Sequence, residues 1–221
     1  MRYSRNMNML THEENNKLKT FKVAVIGCGG LGGYVIEMLA RIGIGQLLCF
    51  DGDVFDQSNW NRQLLSSEDN LGLSKAHAAA LRVKSINSDI EVHAYDVKLT
   101  EENSNLLEGC NIVVDAVDHV DTKIMLQGIC ERLDMPLIYG AIAGWYGQVA
   151  TILPGDRLLD FVYKSKKTIE KDLGNPSFTP ATIASIQVAE AIKVLLNKGD
   201  ILSNKLLFVD LLNHDYEMIE F

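Results

Sequence analysis

Short aliphatic runs alternate along this chain with segments whose apolar side chains recur every three or four positions. Residues 22–27 (K-V-A-V-I-G) form an unbroken apolar run closed by glycine, which predicts a buried strand. Leu31, Tyr34, Val35, Met38, Leu39 and Ile42 then recur at i, i+3, i+4, i+7, i+8 and i+11. That spacing predicts an amphipathic helix, with Gly43 placed to end it. Residues 46–51 read as a second strand, and 74–87 as a helix with Ser74 as its N-cap. Further strands are predicted over 91–95, 111–115 and 136–141, with a short helix near 101–108 and a longer one over 120–133. Alternation of this kind argues for an α/β fold with a parallel, doubly wound sheet.

The rhythm changes after residue 141. Residues 145–153 read as a strand reached through a short Gly-containing turn, so it should run antiparallel to its neighbour. Residues 154–180 hold three of the four prolines, a charged stretch (K-S-K-K-T-I-E-K-D) and no sustained apolar period, and 27 residues is long enough to suggest function or mobility. A helix over 181–196 and two strands over 206–210 and 216–221 complete the chain.

Composition narrows the class. Apolar residues make up 47% and charged residues 23% of the 221 positions, which suits a globular domain and excludes collagen, coiled coil and disorder. The net charge of −8 lacks the basic footprint of a general nucleic-acid binder. The N-terminus has no apolar h-region, and the Gly-rich apolar stretch 23–36 is too short to span a membrane. Cys28, Cys49, Cys110 and Cys130 are scattered, which fits free thiols in a reducing cytoplasm better than a disulfide framework.

Gly27, Gly29, Gly30 and Gly32 lie in G-C-G-G-L-G, directly after a predicted strand and at the start of a helix. Glycine allows the tight turn and a close approach of backbone to phosphate, and the helix N-terminus offers unpaired N–H groups to an anion. Asp51, 24 residues beyond Gly27 at the next strand end, is placed to accept from ribose hydroxyls. Alone, this motif would favour NAD. The following D-G-D-V-F-D-Q-S-N-W-N-R-Q-L-L and N-L-G-L-S-K add Asp53, Asn59, Arg62, Gln63 and Lys75. Two cations beside a glycine phosphate loop suit a triphosphate, where they offset charge during nucleotidyl transfer.

Taken together, G-C-G-G-L-G, D-G-D, S-N-W-N-R-Q, G-L-S-K, V-D-A-V-D-H and the opening R-Y-S-R-N resemble the ThiF/MoeB/HesA family. The resemblance implies one adenylating domain over 1–221: an arm (1–21), a Rossmann-like nucleotide half (22–141), and an antiparallel extension (142–221) whose crossover segment is 154–180. It implies an ATP-dependent adenylyltransferase that activates the C-terminal glycine carboxylate of a ubiquitin-like sulfur carrier ending in Gly-Gly. Gly29 would then contact the phosphates and Asp51 the ribose, while Asn59, Arg62, Gln63 and Lys75 would line the triphosphate. Asp118 matches the family's catalytic, Mg²⁺-associated aspartate; Asp115 competes for that role but reads as the end of its strand. His119 stands where the family usually has Asn. Arg5 matches an arm arginine that reaches the partner subunit's nucleotide, which implies a homodimer with shared sites.

Departures from the family matter too. There is no C-x-x-C pair, so a structural zinc is not expected, and residues 154–180 contain no cysteine for covalent transfer. Cys28 in the phosphate loop reads as a packed residue rather than a nucleophile. Tyr139, Trp145 and Tyr146 are candidates to line a groove for the carrier tail. Two rival functions are an NAD-dependent oxidoreductase, supported by the glycine motif alone, and a non-catalytic nucleotide-binding scaffold.

Overall fold

β1 (Lys22–Ile26) is apolar at nearly every position because helices cover both faces of the sheet it belongs to. Val23 and Val25 point into one core, and Ala24 and Ile26 into the other. Each such valine or isoleucine contributes about 1.5–3 kcal/mol when taken from water. The computed structural model describes residues 2–164 and 173–221. β2 (Gln46–Phe50), β3 (Glu91–Tyr95), β4 (Ile112–Asp115) and β5 (Leu137–Ala143) complete the parallel part with β1. β6 (Tyr146–Ile152), β7 (Lys205–Asp210) and β8 (Asp215–Glu220) extend it antiparallel. The order across the eight strands is β3-β2-β1-β4-β5-β6-β7-β8. Direction reverses after β5 because Gly144 and Trp145 alone separate it from β6, too few residues for a crossover helix.

On one face lie α1 (His12–Leu18), α2 (Gly30–Ile42), α3 (Lys75–Ile86) and the later helix α6; on the other lie α4 (Val120–Arg132) and α5 (Leu158–Val162). α6 spans Phe178–Leu196. Among the described residues it is the one helix long and apolar enough to cross a membrane, and here it packs Val188, Ala191 and Leu195 into the core beside α2. α2 ends at Gly43, whose φ of 95° and N–H bond to the Leu39 carbonyl close the last turn. Ser74 caps α3, its hydroxyl accepting from the His77 N–H at 3.4 Å.

Two expectations needed correction, and the arm carries a helix that the apolar pattern did not indicate: Thr11 and Glu14 form a reciprocal capping box that starts α1. The predicted helix near 101–108 is a single 3-10 turn, Ser104–Leu107. The 154–180 segment is not without structure either. It contains α5, and α6 starts within it at Phe178, with Pro180 in its first turn, where a missing N–H costs nothing. Residues 165–172, most of the charged stretch, lie outside the described part.

Candidate active site

The chain leaves β1 through Gly27, which has φ of 97°; a Cβ there would come within 2.6 Å of the Ala116 carbonyl oxygen. Gly32 meets the same turn from the first coil of α2, where a Cβ would fall 1.8 Å from the Gly27 carbonyl oxygen. These two glycines let the helix start directly against the end of β1. Gly29 caps α2 without a side-chain bond, and the first turn carries no acid, so the N–H groups and positive end of the helix dipole stay open to an anion.

At the carboxyl ends of the parallel strands lies a cavity of about 880 Å³. This is where open α/β sheets bind ligands, between strands whose connections leave in opposite directions. Its wall includes Gly27, Gly29, Gly30, Asp51, Asp53, Arg62, Gln63, Lys75, Asp118 and His119. Most residues expected from the sequence are therefore brought together. Gly32 stands behind the wall as a packing residue.

Asp51 accepts from the Cys28 N–H at 2.7 Å and from the Asp53 N–H at 2.9 Å. Burial raises its pKa above the ordinary aspartate value, while those two N–H groups and Lys75 pull it back. The Asp53 carboxylate lies 3.7 Å from Lys75 Nζ and 3.2 Å from Lys98 Nζ. Arg62 lies over Gly30, its Nη1 donating to the Ser58 carbonyl at 3.0 Å and to Asn61 Oδ1 at 2.8 Å. Gln63 is buried beside Gly29, and its Oε1 finds no partner among the described residues. An orphaned buried acceptor at the phosphate loop marks a polar ligand position.

Asn59 is not brought to the wall. It is buried in a turn, where its Oδ1 accepts from the Asp56 N–H at 3.0 Å. Arg5 is exposed and stands away from its own chain's cavity. The neighbouring Tyr3 packs on Gly43, its hydroxyl 2.6 Å from Asn87 Nδ2, and Arg2 donates to the Ile86 carbonyl at 3.1 Å. The arm thus sits at the C-terminal ends of α2 and α3, whereas the cavity is at the N-terminus of α2.

The two candidate aspartates separate cleanly. Asp118 has a side chain 93% exposed at the cavity, with His119 Nε2 3.7 Å away. Asp115 is fully buried and bound to Lys123 Nζ at 2.8 Å, and Lys123 also donates to the Gly140 carbonyl at 2.7 Å. Burial pushes the Asp115 carboxyl up and the Lys123 ammonium opposes that shift. Lys123 went unnoticed in the sequence. The signal was an aspartate inside a buried strand, which needs a cationic partner.

Of the proposed aromatics, Tyr146 lines the cavity. Tyr139 is a core residue whose hydroxyl bonds Gln148 Oε1 at 2.9 Å and the Tyr163 hydroxyl at 2.7 Å. Trp145 instead packs on Phe178, with ring centroids 4.6 Å apart. All four cysteines are free and buried. Burial pushes the Cys110 and Cys130 thiols up to about 11 and about 12, and Cys28, beside the Cys49 thiol in an apolar site, is raised as well. Such thiols are poor nucleophiles. Among the described residues no three His, Cys, Asp or Glu side chains cluster to hold a metal by themselves.

The ThiF family profile matches residues 3–221. The SAMP-activating enzyme E1 of Haloferax volcanii is 32% identical over 228 residues, covering 100% of this chain and 84% of that protein. A sulfur carrier protein adenylyltransferase of Thermus thermophilus is 33% identical over 219 residues, covering 94% of this chain and 81% of its own. The chain spans 44% of the adenylyltransferase and sulfurtransferase MOCS3 of Drosophila sechellia, at 33% identity. The crystal structure of E. coli MccB with ATP superposes with a TM-score of 0.83 at 25% identity, covering 100% of this chain and 70% of that one. With the profile spanning nearly every residue and a relative 32% identical across the whole length, this chain belongs to the ThiF family of adenylyltransferases.

Proposed function

We propose that the chain transfers the adenylyl group of ATP to the C-terminal glycine carboxylate of a ubiquitin-like sulfur carrier ending in Gly-Gly. The observation that carries this reading is one continuous cavity. It joins the open N-terminus of α2, Arg62, Lys75 and Asp118 to the ends of β5 and β6, where Ala141, Ala143, Tyr146 and Gln148 line the wall. That continuation beyond the phosphate site gives an extended carrier tail a path to the nucleotide. Relatives named for SAMP and for sulfur carrier proteins support the substrate class. Cations beside the glycine loop favour a triphosphate over the dinucleotide of a dehydrogenase.

The carrier carboxylate oxygen attacks the α-phosphorus in line, and the bond from that phosphorus to the bridging oxygen breaks to release pyrophosphate. Arg62, Lys75 and the α2 N–H groups stabilise the charge that develops, in a site partly withdrawn from water. Asp118 is the carboxylate that would hold Mg²⁺, which supplies neutralisation of phosphate charge when bound. The remaining metal ligands would come from phosphate oxygens and water, in keeping with a site of one or two carboxylates. Arg5 serves the partner's site in a homodimer, and the reaction belongs in the cytoplasm.

Carrier-dependent exchange of pyrophosphate into ATP tests the reading. Asp118→Ala and Arg62→Ala should each lower exchange by on the order of 10²-fold or more. Exchange at the wild-type rate in both variants would remove these residues from the mechanism.

A further inference from the structure

We infer that Lys98, just beyond β3, is a nucleotide-binding residue whose ammonium pairs with the polyphosphate of ATP and rests on Asp53 when no nucleotide is bound. The inference rests on the ATP reading above and goes beyond the residues that motif similarity supplies.

Gly52 is the first observation. A Cβ at that position would lie 2.9 Å from both Lys98 Cγ and the Lys98 backbone nitrogen, and 3.3 Å from the Val97 carbonyl carbon. The glycine of D-G-D therefore admits the loop after β3 into close contact with the loop after β2. Without that approach Lys98 would project elsewhere.

The second observation is charge. The Asp53 carboxylate faces two ammonium groups, Lys98 at 3.2 Å and Lys75 at 3.7 Å, and Lys75 also acts on Asp51, so two acids and two ammoniums balance before a phosphate arrives. Both ammoniums stand at the wall of the cavity. Lys75 is stiffly placed, with a side chain 10% exposed, whereas the Lys98 side chain is 74% exposed and free to swing. An exposed ion pair is held weakly. A triphosphate arriving at Lys75 offers several charges and many acceptor oxygens. Lys98, a point charge with three donors, gains by turning toward it. Because Asp53 joins the two ammoniums, a phosphate bound at Lys75 lies within reach of Lys98.

Equilibrium titration of the purified protein with ATP, ADP and AMP, in the presence of Mg²⁺, tests the assignment. Lys98→Ala should weaken ATP by about tenfold, leave AMP within about twofold, and be rescued in large part by Lys98→Arg. The ATP loss should shrink as salt is raised. It should also persist in an Asp53→Asn background, because the interaction is with the phosphates and not with Asp53. Equal ATP affinity in wild type and Lys98→Ala would overturn the inference, as would equal losses for AMP and ATP. So would a loss that disappears once Asp53 is neutral, since Lys98 would then only hold Asp53 in place. Failure of the wild-type protein to bind ATP would overturn the functional reading itself, and with it this inference.

Discussion

Asp51 commits both carboxylate oxygens to backbone N–H groups, at Cys28 and Asp53, before any ligand arrives. Each oxygen keeps a second lone pair for a ribose hydroxyl. Burial raises its pKa from 3.8, so the folded protein holds the Asp51 proton more tightly than a free aspartate would. On acidification the accepting, ionised form is therefore lost earlier than usual. ATP affinity should fall along a limb that lies above the ordinary aspartate range. Asp51→Asn should weaken ATP about tenfold near neutrality and remove that limb. Titrations of ATP between about pH 4.5 and 8 check this; an unchanged limb in the variant would place the titration on another group. The D-G-D motif made Asp51 legible, because a fixed spacing after a strand is a local property. Lys98 and Lys123 were not legible, since their partners, Asp53 and Asp115, are reached through sheet pairing and helix packing. Asn59 stands off the cavity wall, and an Asn beside Arg62 looks identical in sequence whether it faces the cavity or caps its own turn.

At the scale of elements, apolar periodicity located every strand and the major helices to within a few residues. Where it was weak, the structure supplied the answer. α1 reads H-E-E-N-N-K-L and buries only Asn15 and Leu18, so its signal is the cap and not an apolar stripe. Thr11 Oγ1 accepts from the Glu14 N–H at 3.1 Å, and Glu14 Oε2 accepts from the Thr11 N–H at 2.7 Å. Thr11→Ala removes half of that box and should cost about 1 kcal/mol. For a chain of this size that is a fall of roughly 2–4 °C in melting temperature, readable by calorimetry. A variant melting with the wild type would mean the arm helix contributes nothing to the cooperative unit. α6 began earlier than expected because Pro180 suggested a loop, yet a proline in the first helical turn interrupts no hydrogen bond.

For the whole molecule, the arm and the cavity of one chain sit at opposite ends of α2, a helix of 13 residues and so about 20 Å long. Arg5 serves a nucleotide only if a second chain brings its cavity to the arm. A two-fold dimer does this twice, through an isologous interface. Sedimentation should show a dimer, and Arg5→Ala should lower carrier-dependent exchange with the melting temperature unchanged. Mixing Arg5→Ala with Asp118→Ala chains should restore part of the activity, since one site of each heterodimer regains both groups. A fully active monomer, or mixed chains that never complement, would separate Arg5 from the site.

The sequence by itself determined the strand–glycine–helix unit, the doubly wound order of elements and the pairing of Arg62 and Lys75 with the phosphate loop. These depend on contacts within a few residues and on a hydrophobic period that survives in the linear chain. The sequence already favoured Asp118 over Asp115 for the cavity, and only the tertiary structure supplied the reason. Asp115 and Asp118 differ by three positions, but packing buries one against Lys123 and leaves the other in solvent. It also decided that the loop after β3 passes close against Gly52, with Lys98 beside Asp53, and that the arm lies far from its own phosphate loop. Each of these is a meeting of segments distant along the chain. Their approach is set by how the helices and strands close over two shared cores, not by any local preference.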